Sequence, residues 1–489
     1  MRRRRYRRHV TGRAAYDAVV VGAGPNGLAA AIAIAQAGRS VLVIEAHDTV
    51  GGGARTAELT LPGIDHDVCS AVHPLGRASP FFRRLGLERH GLEWIEPEIQ
   101  LAHPLDDAAP ALVYRDVDAT AACFDDARDR RRYASWMRRL SADWELIITT
   151  LVGPPRPLAV ARHPFRLAVF GIPALLPAAL GARAFRSPQA RGLAAGVSAH
   201  SFLPLTAPLS SGLGLALLLS AHAIGWPIPR GGSQHIADAL AAALRELGGE
   251  IVTGQEVRSL DELPRHRAAL LDLSPRGVMR VAGDRISGLY ATQLRHYRYG
   301  PAAFKLDLVL SEPIPWRDPD LGRAGTVHLA GSLEEVTASE RAVAQGRVHE
   351  RPFVLLSEPT RLDPSRAPPD SHVVWAYCHV PNGWTGDASE RIERQIERFA
   401  PGFRERIVAR HVTTPAELEA YNPNYVGGDI NGGLQHWAQF FTRPAIRPDP
   451  YSTPDPRIYV CSASTPPGGG VHGLCGWFAA QSALRGALR

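Results

Sequence analysis

An α/β fold built around a β-α-β nucleotide unit is predicted by three stretches of this 489-residue chain. They are "YDAVVVGAGPNGLAAAIAIAQAGRSVLVIEA" (Tyr16 to Ala46), "VGGGARTAEL" directly after it, and "RIYVCSASTPPGGGVHGLCGWFAAQSAL" near the C-terminus. In the first, an apolar run of strand length ends at Gly22, an Ala-rich helical pattern follows, and a second strand ends at Glu45. Gly22, Gly24 and Gly27 give G-x-G-x-x-G at the strand-to-helix turn. The first glycine permits the tight turn, the second lets a pyrophosphate approach the backbone, and the third lets helix and strand pack closely. Pro25 and Asn26 open the helix, whose free N–H groups receive the pyrophosphate. Glu45, 18 residues after Gly27 and followed by Ala46, is placed to accept hydrogen bonds from the adenosine ribose. Strand, glycines, helix, strand and terminal acid in this order specify a dinucleotide far better than the glycines alone.

The second stretch brings Gly51, Gly52, Gly53 and Arg55 just beyond Glu45. It resembles the second glycine motif of the FAD-binding amine oxidase and phytoene desaturase superfamily, where the arginine neutralises pyrophosphate. The C-terminal stretch reads as a strand, a glycine-rich loop and a helix starting near His472. It is similar to the closing FAD motif of the same superfamily. The resemblance implies that Ser464, Gly470, Val471 and His472 lie along the flavin, with backbone amides at the helix start meeting its N1–C2=O edge. Ser462 and Ser464 depart from the family, which often has glycine there.

"GWPIPRGGSQHIADALAAALRELGGEIVTGQEV" resembles the family's middle segment, in which the valine of the last strand, here Val257, offers its backbone to adenine. The later "AALLDLSP" is similar to a return strand of the FAD domain. The nearest likeness is to the bacterial phytoene desaturase-like branch, which includes the pyridine nucleotide-disulfide oxidoreductase domain protein 2 group. The implied architecture is an α/β, Rossmann-like FAD-binding domain of the glutathione reductase type 2 class, interleaved with an α+β substrate domain. Residues 14–80, 215–298 and 445–489 would form the FAD domain, and 81–214 and 299–444 the substrate domain. Residues 1–13 read as a disordered basic arm.

"AFKLDLVLSEPIPW" holds the single lysine of the chain, Lys305, among 55 Lys and Arg residues. In amine oxidase relatives, a lysine at the start of such a strand, ahead of a Pro–aromatic pair, holds a water against flavin N5. Pro313 and Trp316 supply the matching pair. A compact ammonium that can lose its proton when desolvated differs in kind from a guanidinium, which stays charged and planar. Lys305 is therefore the candidate catalytic residue. His66, Asp67, Cys69 and His73 in "IDHDVCSAVHPL" resemble the strand under the isoalloxazine, though packed, satisfied polar groups are the simpler reading. "NYVGGDINGG" and His436 are further candidates for the pocket wall.

Composition narrows the function classes. The formal charge is +7, but Arg2, Arg3, Arg4, Arg5, Arg7 and Arg8 supply six of it, which leaves a near-neutral body. No nucleic-acid surface is expected. Five dispersed cysteines without a CxxC pair fit a reducing compartment, expected to be the cytoplasm, and no metal site is expected. Gly192 to Pro229 carries no Asp, Glu, Lys or Arg, and "LAVFGIPALLPAAL" is broken by Pro173 and Pro177. These stretches read as buried core or an apolar substrate tunnel across 165–225, with peripheral membrane contact as the alternative. The expected activity is removal of hydride from a C–H bond of a small apolar, isoprenoid- or lipid-like substrate. FAD would be non-covalent, although Cys475 stands where some relatives attach flavin, and the electron acceptor would be oxygen or a quinone. A flavoprotein amine or alcohol oxidase is the alternative, and a non-catalytic lipid-binding protein on this fold is the third reading.

Overall fold

The computed structural model describes residues 13–151, 153–154 and 157–489. The predicted basic arm, apart from Arg13, lies outside the described residues. Two sheets organise the chain. The first is fully parallel, in the order Ile458–Val460, Arg265–Leu271, Ala15–Val21, Val41–Ile44, Glu250–Val252. Its strands are near-continuous apolar runs because helices cover both faces. One face carries the helices Pro25–Gln36, Gln234–Glu246 and Leu474–Arg485, joined in one core through Leu28, Ile32, Leu240 and Phe478. The other packs on Val278, Val281 and Leu294 from the helices Pro275–Ala282 and Gly288–Arg295.

The second sheet has seven strands, in the order Ile407–Thr413, Ala302–Leu310, His372–Val380, Val354–Ser357, Val327–Leu329, Leu101–His103, Ala111–Val113. All its pairings are antiparallel except that between Val327–Leu329 and Leu101–His103. Ala302–Leu310 is buried along its whole length. Its even positions, Phe304, Leu306 and Leu308, fill one apolar cluster. Its odd positions, Lys305 among them, look the other way, because side chains alternate between faces. Trp375 and Tyr377 stand opposite Asp307 and Lys305 on the neighbouring strand and share that face.

Between these strands, the described residues from 117 to 223 form a series of helices joined by short connections. Pro173 sits in the last turn of the helix Pro164–Leu175, and a new helix begins at Ala178. Among the described residues no helix is long and apolar enough to cross a membrane. Most of the uncharged stretch is packed core, with Leu193, Val197, Leu215, Leu218 and Leu219 buried in a single cluster. Only His200, Phe202, Leu213, Leu217 and Trp226 of residues 192–229 reach the cavity described below. The expected tunnel is thus one wall of a cavity. A different signal emerges on the outside, where Phe165, Ile172, Leu175 and Leu180 are 85%, 62%, 52% and 57% exposed.

The two helices that frame the nucleotide turn meet at a glycine. A Cβ on Gly476 would stand 1.7 Å from the Asn26 carbonyl oxygen, so the helix Leu474–Arg485 can approach Pro25–Gln36 only without a side chain there. Gly476→Ala is expected to lower stability by about 1–3 kcal/mol through overpacking against backbone. Gly181→Ala, on a helix with open space around the position, should be neutral or gain about 0.5–1 kcal/mol. Thermal melts of the two variants check the contrast, and an equal response would refute it.

Candidate functional site

A cavity of about 750 Å³ runs from the glycine turn to the face of the seven-stranded sheet. Of the residues expected to hold the dinucleotide, Gly22, Gly24, Pro25, Asn26, Glu45, Ala46, Gly52, Gly53, Arg55, Val257, Ser464, Gly470 and Val471 line it. Gly22 has φ of +102°, which only glycine adopts readily. A Cβ on Gly27 would stand 2.0 Å from the Gly22 carbonyl oxygen, so Gly27 brings helix and turn together and does not itself face the cavity. Gly24 N-caps the helix with extended backbone, and Asn26 Oδ1 is buried without a partner.

Glu45 and Arg55 form a buried ion pair at 3.3 Å. Glu45 accepts hydrogen bonds from the backbone N–H of Ala23 (2.7 Å) and of His47 (3.0 Å). Arg55 donates to the carbonyls of Thr49 (2.7 Å), Val50 and Gly52 (both 3.3 Å), and Tyr421 Oη donates to Gly52 O at 2.9 Å. Arg55 thus lines the cavity while also shaping the second glycine loop, a task the motif alone does not reveal. Gly53 admits the Tyr425 hydroxyl, which would lie 1.9 Å from a Cβ there.

Two expectations about helix and strand ends shift. The last strand of the parallel sheet stops at Val252, and Val257 reaches the cavity from the loop beyond it. The C-terminal helix starts at Leu474, because His472 Nδ1 accepts the Leu474 N–H at 3.0 Å and turns its ring into the protein. Burial pushes the His472 ring down to about 4, and its side chain is not part of the cavity wall. Ser462 and Ser464 hydrogen-bond each other at 2.7 Å, and Ser462 donates to Leu273 O at 2.7 Å. That pairing explains how serines replace glycines here.

Lys305 is 2% exposed, so it is no surface lysine. Its ammonium pairs with Asp307, which also faces His66 at 3.5 Å, and His66 in turn meets Thr60 Oγ1 at 2.7 Å. Lys305 does not line the cavity; it stands behind the wall, 6.0 Å from the Trp375 ring centroid. The Lys305 ammonium and the His66 ring hold the Asp307 carboxyl below its usual range against the pull of burial. Cys69 and His73 line the cavity, whereas Asp67 lies behind it, paired with Arg366 at 3.1 Å. His73 meets Ser233 Oγ at 2.7 Å and burial pushes it down to about 4. From "NYVGGDINGG", Asn424, Tyr425, Ile430, Asn431 and Gly432 reach the cavity, but His436 does not.

Sequence reading missed Asp272. It directly follows the return strand Arg265–Leu271 in "AALLDLSP", its Oδ2 accepts the Gly27 N–H at 2.9 Å, and it lines the cavity against Gly22 and Gly24. Burial pushes its carboxyl up to about 7, opposed by the Gly27 N–H. An acid at the end of a strand that abuts the glycine turn was the available signal. The residues present fit an FAD: a pyrophosphate would meet the N–H groups of Gly24 and Asn26 at the helix start, and Glu45 keeps lone pairs for a ribose. The loops at Gly52–Arg55 and Ser464–Val471 continue the same cavity toward Cys69 and Trp375.

Comparison with known proteins agrees with this geometry. Residues 20–85 match the family model of an NAD(P)-binding Rossmann-like domain. Pyridine nucleotide-disulfide oxidoreductase domain-containing protein 2 of Rattus norvegicus is 26% identical, over 96% of this chain and 93% of the relative. Phytoene dehydrogenase of Streptomyces griseus is 27% identical, over 80% of this chain and 77% of the relative. Among solved structures, cyclohexylamine oxidase from Brevibacterium oxydans superposes with a TM-score of 0.56 at 16% identity, covering 97% of this chain and 98% of its own. That likeness is one of fold.

Asp272 makes a pH prediction. Its folded value near 7 exceeds the 3.8 of an ordinary Asp, so the native state holds the proton more tightly. Its effect on stability is most favourable below about pH 4 and is lost as pH rises through about 7. Asp272→Asn keeps an acceptor for Gly27 and removes the titration. The difference in Tm between variant and wild type, measured without added FAD, should become more positive from pH 5 to pH 8. A difference that stays constant across that range would refute the assignment.

Proposed function

From the premise that this chain is an oxidoreductase of the flavoprotein amine oxidase and desaturase superfamily, we propose that it binds FAD non-covalently and dehydrogenates a C–H bond of a substrate with an apolar body. The observation that carries this reading is one continuous cavity, with a dinucleotide cradle at one end and Phe202, Leu213, Leu217, Trp226 and Leu355 at the other. Bound FAD supplies the hydride acceptor. The chain's own residues do the rest. The glycine turn and Arg55 hold the cofactor, while the apolar wall excludes water and orients the C–H bond. Cys475 is buried, with its thiol pushed up to about 11, so its thiolate form is scarce at neutral pH and attachment through it is disfavoured. Acid precipitation should leave yellow FAD in the supernatant, and a yellow pellet would contradict non-covalent binding. Anaerobic bleaching of the flavin should follow addition of a polyene or terpene hydrocarbon. Bleaching by primary amines alone would favour the amine oxidase alternative, with oxygen or a quinone as the terminal acceptor in either case.

Lys305 is proposed to support turnover from behind the Trp375–Cys69 wall, not to hold the cofactor. A charge that alters the cavity potential without touching the pyrophosphate should affect rate more than retention. Lys305→Met should keep full FAD and slow bleaching by roughly 10–1000-fold, the span of a buried group acting through its charge. Wild-type bleaching rates at full flavin content would end that assignment.

We also propose peripheral contact with an anionic bilayer. Phe165, Ile172 and Leu175 on the helix Pro164–Leu175, and Leu176 and Leu180 just beyond it, are exposed, and Arg162, Arg183 and Arg186 are exposed in the same segment. Apolar side chains with a basic rim match a lipid surface of opposite charge. Co-sedimentation with phosphatidylserine-containing vesicles should fall at least several-fold in the double variant Phe165→Ser/Ile172→Ser. Equal sedimentation of variant and wild type would refute it.

A further inference from the structure

The apolar end of the cavity contains a polar feature that a pure hydrocarbon would leave unused. His200 follows the helix Pro188–Ala199 and lines the cavity with Trp226 and Phe202. Its Nε2 lies 3.1 Å from Nε2 of His328, a fully buried residue of the strand Val327–Leu329. Behind His328 stands His103, whose Nε2 lies 2.6 Å from the Gly331 carbonyl oxygen. A carbonyl can only accept, so Nε2 of His103 carries the hydrogen and its Nδ1 is bare. Gly196 makes room for the column: a Cβ there would stand 2.5 Å from His103 Nδ1 and 3.0 Å from His328 Nδ1. Burial pushes His200 down to about 3 and His103 to about 4, and His328 well below its ordinary range. All three rings are neutral at working pH.

Between His200 and His328, one Nε2 donates and the other accepts. No hydrogen bond occupies His200 Nδ1 among the described residues, and that nitrogen belongs to a cavity-lining side chain. Thr326 and Trp375 line the same cavity, and neither Thr326 Oγ1 nor Trp375 Nε1 has a partner. A polar atom left unsatisfied in such surroundings costs roughly 1–3 kcal/mol, which a ligand oxygen at His200 Nδ1 would recover. The charge balance selects the ligand. The carboxylate of Glu340 is engaged by His379 at 2.9 Å, and Lys305 by Asp307. At this end of the cavity neither an ammonium nor a carboxylate would find a free counter-charge among the described residues, and no group of three metal ligands exists among them.

We propose that His200, oriented by His328, is the recognition point for a neutral hydroxyl or carbonyl oxygen on an otherwise apolar substrate. The proposal rests on the reading above, in which the other end of the cavity takes the FAD. His328 is a positioning residue: it holds the His200 ring by its Nε2 and leaves Nδ1 to the substrate.

The test uses the FAD-loaded protein and a matched set of small probes: cyclohexanol, cyclohexanone, methylcyclohexane and cyclohexylamine. Binding is read by isothermal titration, and FAD content by absorbance, so loss of the cofactor reading would show separately. Cyclohexanol and cyclohexanone should bind wild type at least about tenfold more tightly than methylcyclohexane, the worth of one hydrogen bond in a dry site. His200→Phe should bring that ratio to within about twofold at unchanged FAD content. His328→Gln, which can still hydrogen-bond His200, should keep most of the preference, whereas His328→Leu should lose it. Equal binding of alcohol and hydrocarbon by wild type would overturn the proposal without any variant. So would absence of binding by the whole set, tightest binding of cyclohexylamine, or an oxygen preference that survives in His200→Phe.

Discussion

The Glu45–Arg55 pair is the interaction on which the geometry of the site depends. One carboxylate reaches the turn after Gly22 through the Ala23 N–H, and one guanidinium gathers the carbonyls of residues 49, 50 and 52. The two glycine loops are therefore tied to each other by this pair, together with the Gly51 N–H that donates to Ala23 O at 2.9 Å, and Tyr421 ties the second loop to a distant part of the chain. Burying two charges costs several kcal/mol per ion unless geometry and further hydrogen bonds offset it. Here five backbone groups share that duty, so the pair serves to position the loops and adds little to stability. The same atoms then present a ribose acceptor and a positive wall to one cavity.

The legible part of the site was the part set by backbone sterics. Gly22, Gly24 and Gly27 announce a turn that few other residues can make, and the strand and helix patterns around them fix where it falls. Val257 and Ser464 were placed by resemblance and do line the cavity, although the element ends near them shifted by a few residues. His472 was different. The resemblance put the backbone of this helix start along the flavin, and the ring, which accepts the Leu474 N–H, points inward, a side-chain arrangement that no spacing encodes.

What stayed hidden depends on pairing between distant strands. Lys305 was recognisable as unusual, yet its partners, Asp307 two residues on and His66 far upstream, appear only once strand register is known. Asp272 gains its significance from a carboxyl laid against the glycine turn 245 residues earlier in sequence. The column His103–His200–His328 joins residues from a short strand, a helix end and another strand. A histidine read singly in an apolar run carries no such message, since most buried histidines are simply satisfied.

The order of the parallel sheet has a consequence for how the chain is made. The strand Ala15–Val21 is flanked by Val41–Ile44 and by Arg265–Leu271, and the edge strand Ile458–Val460 comes within the last 32 residues of the chain. The helix that covers the nucleotide turn, Leu474–Arg485, is later still. A ribosome-bound chain therefore holds the glycine turn without the elements that wall it until those later segments emerge. Non-local pairing of this kind is slow because loop closure must precede its reward. The nucleotide pocket can close only after Ile458–Val460 and Leu474–Arg485 have been made, so the cofactor site is assembled long after its glycine turn is synthesised.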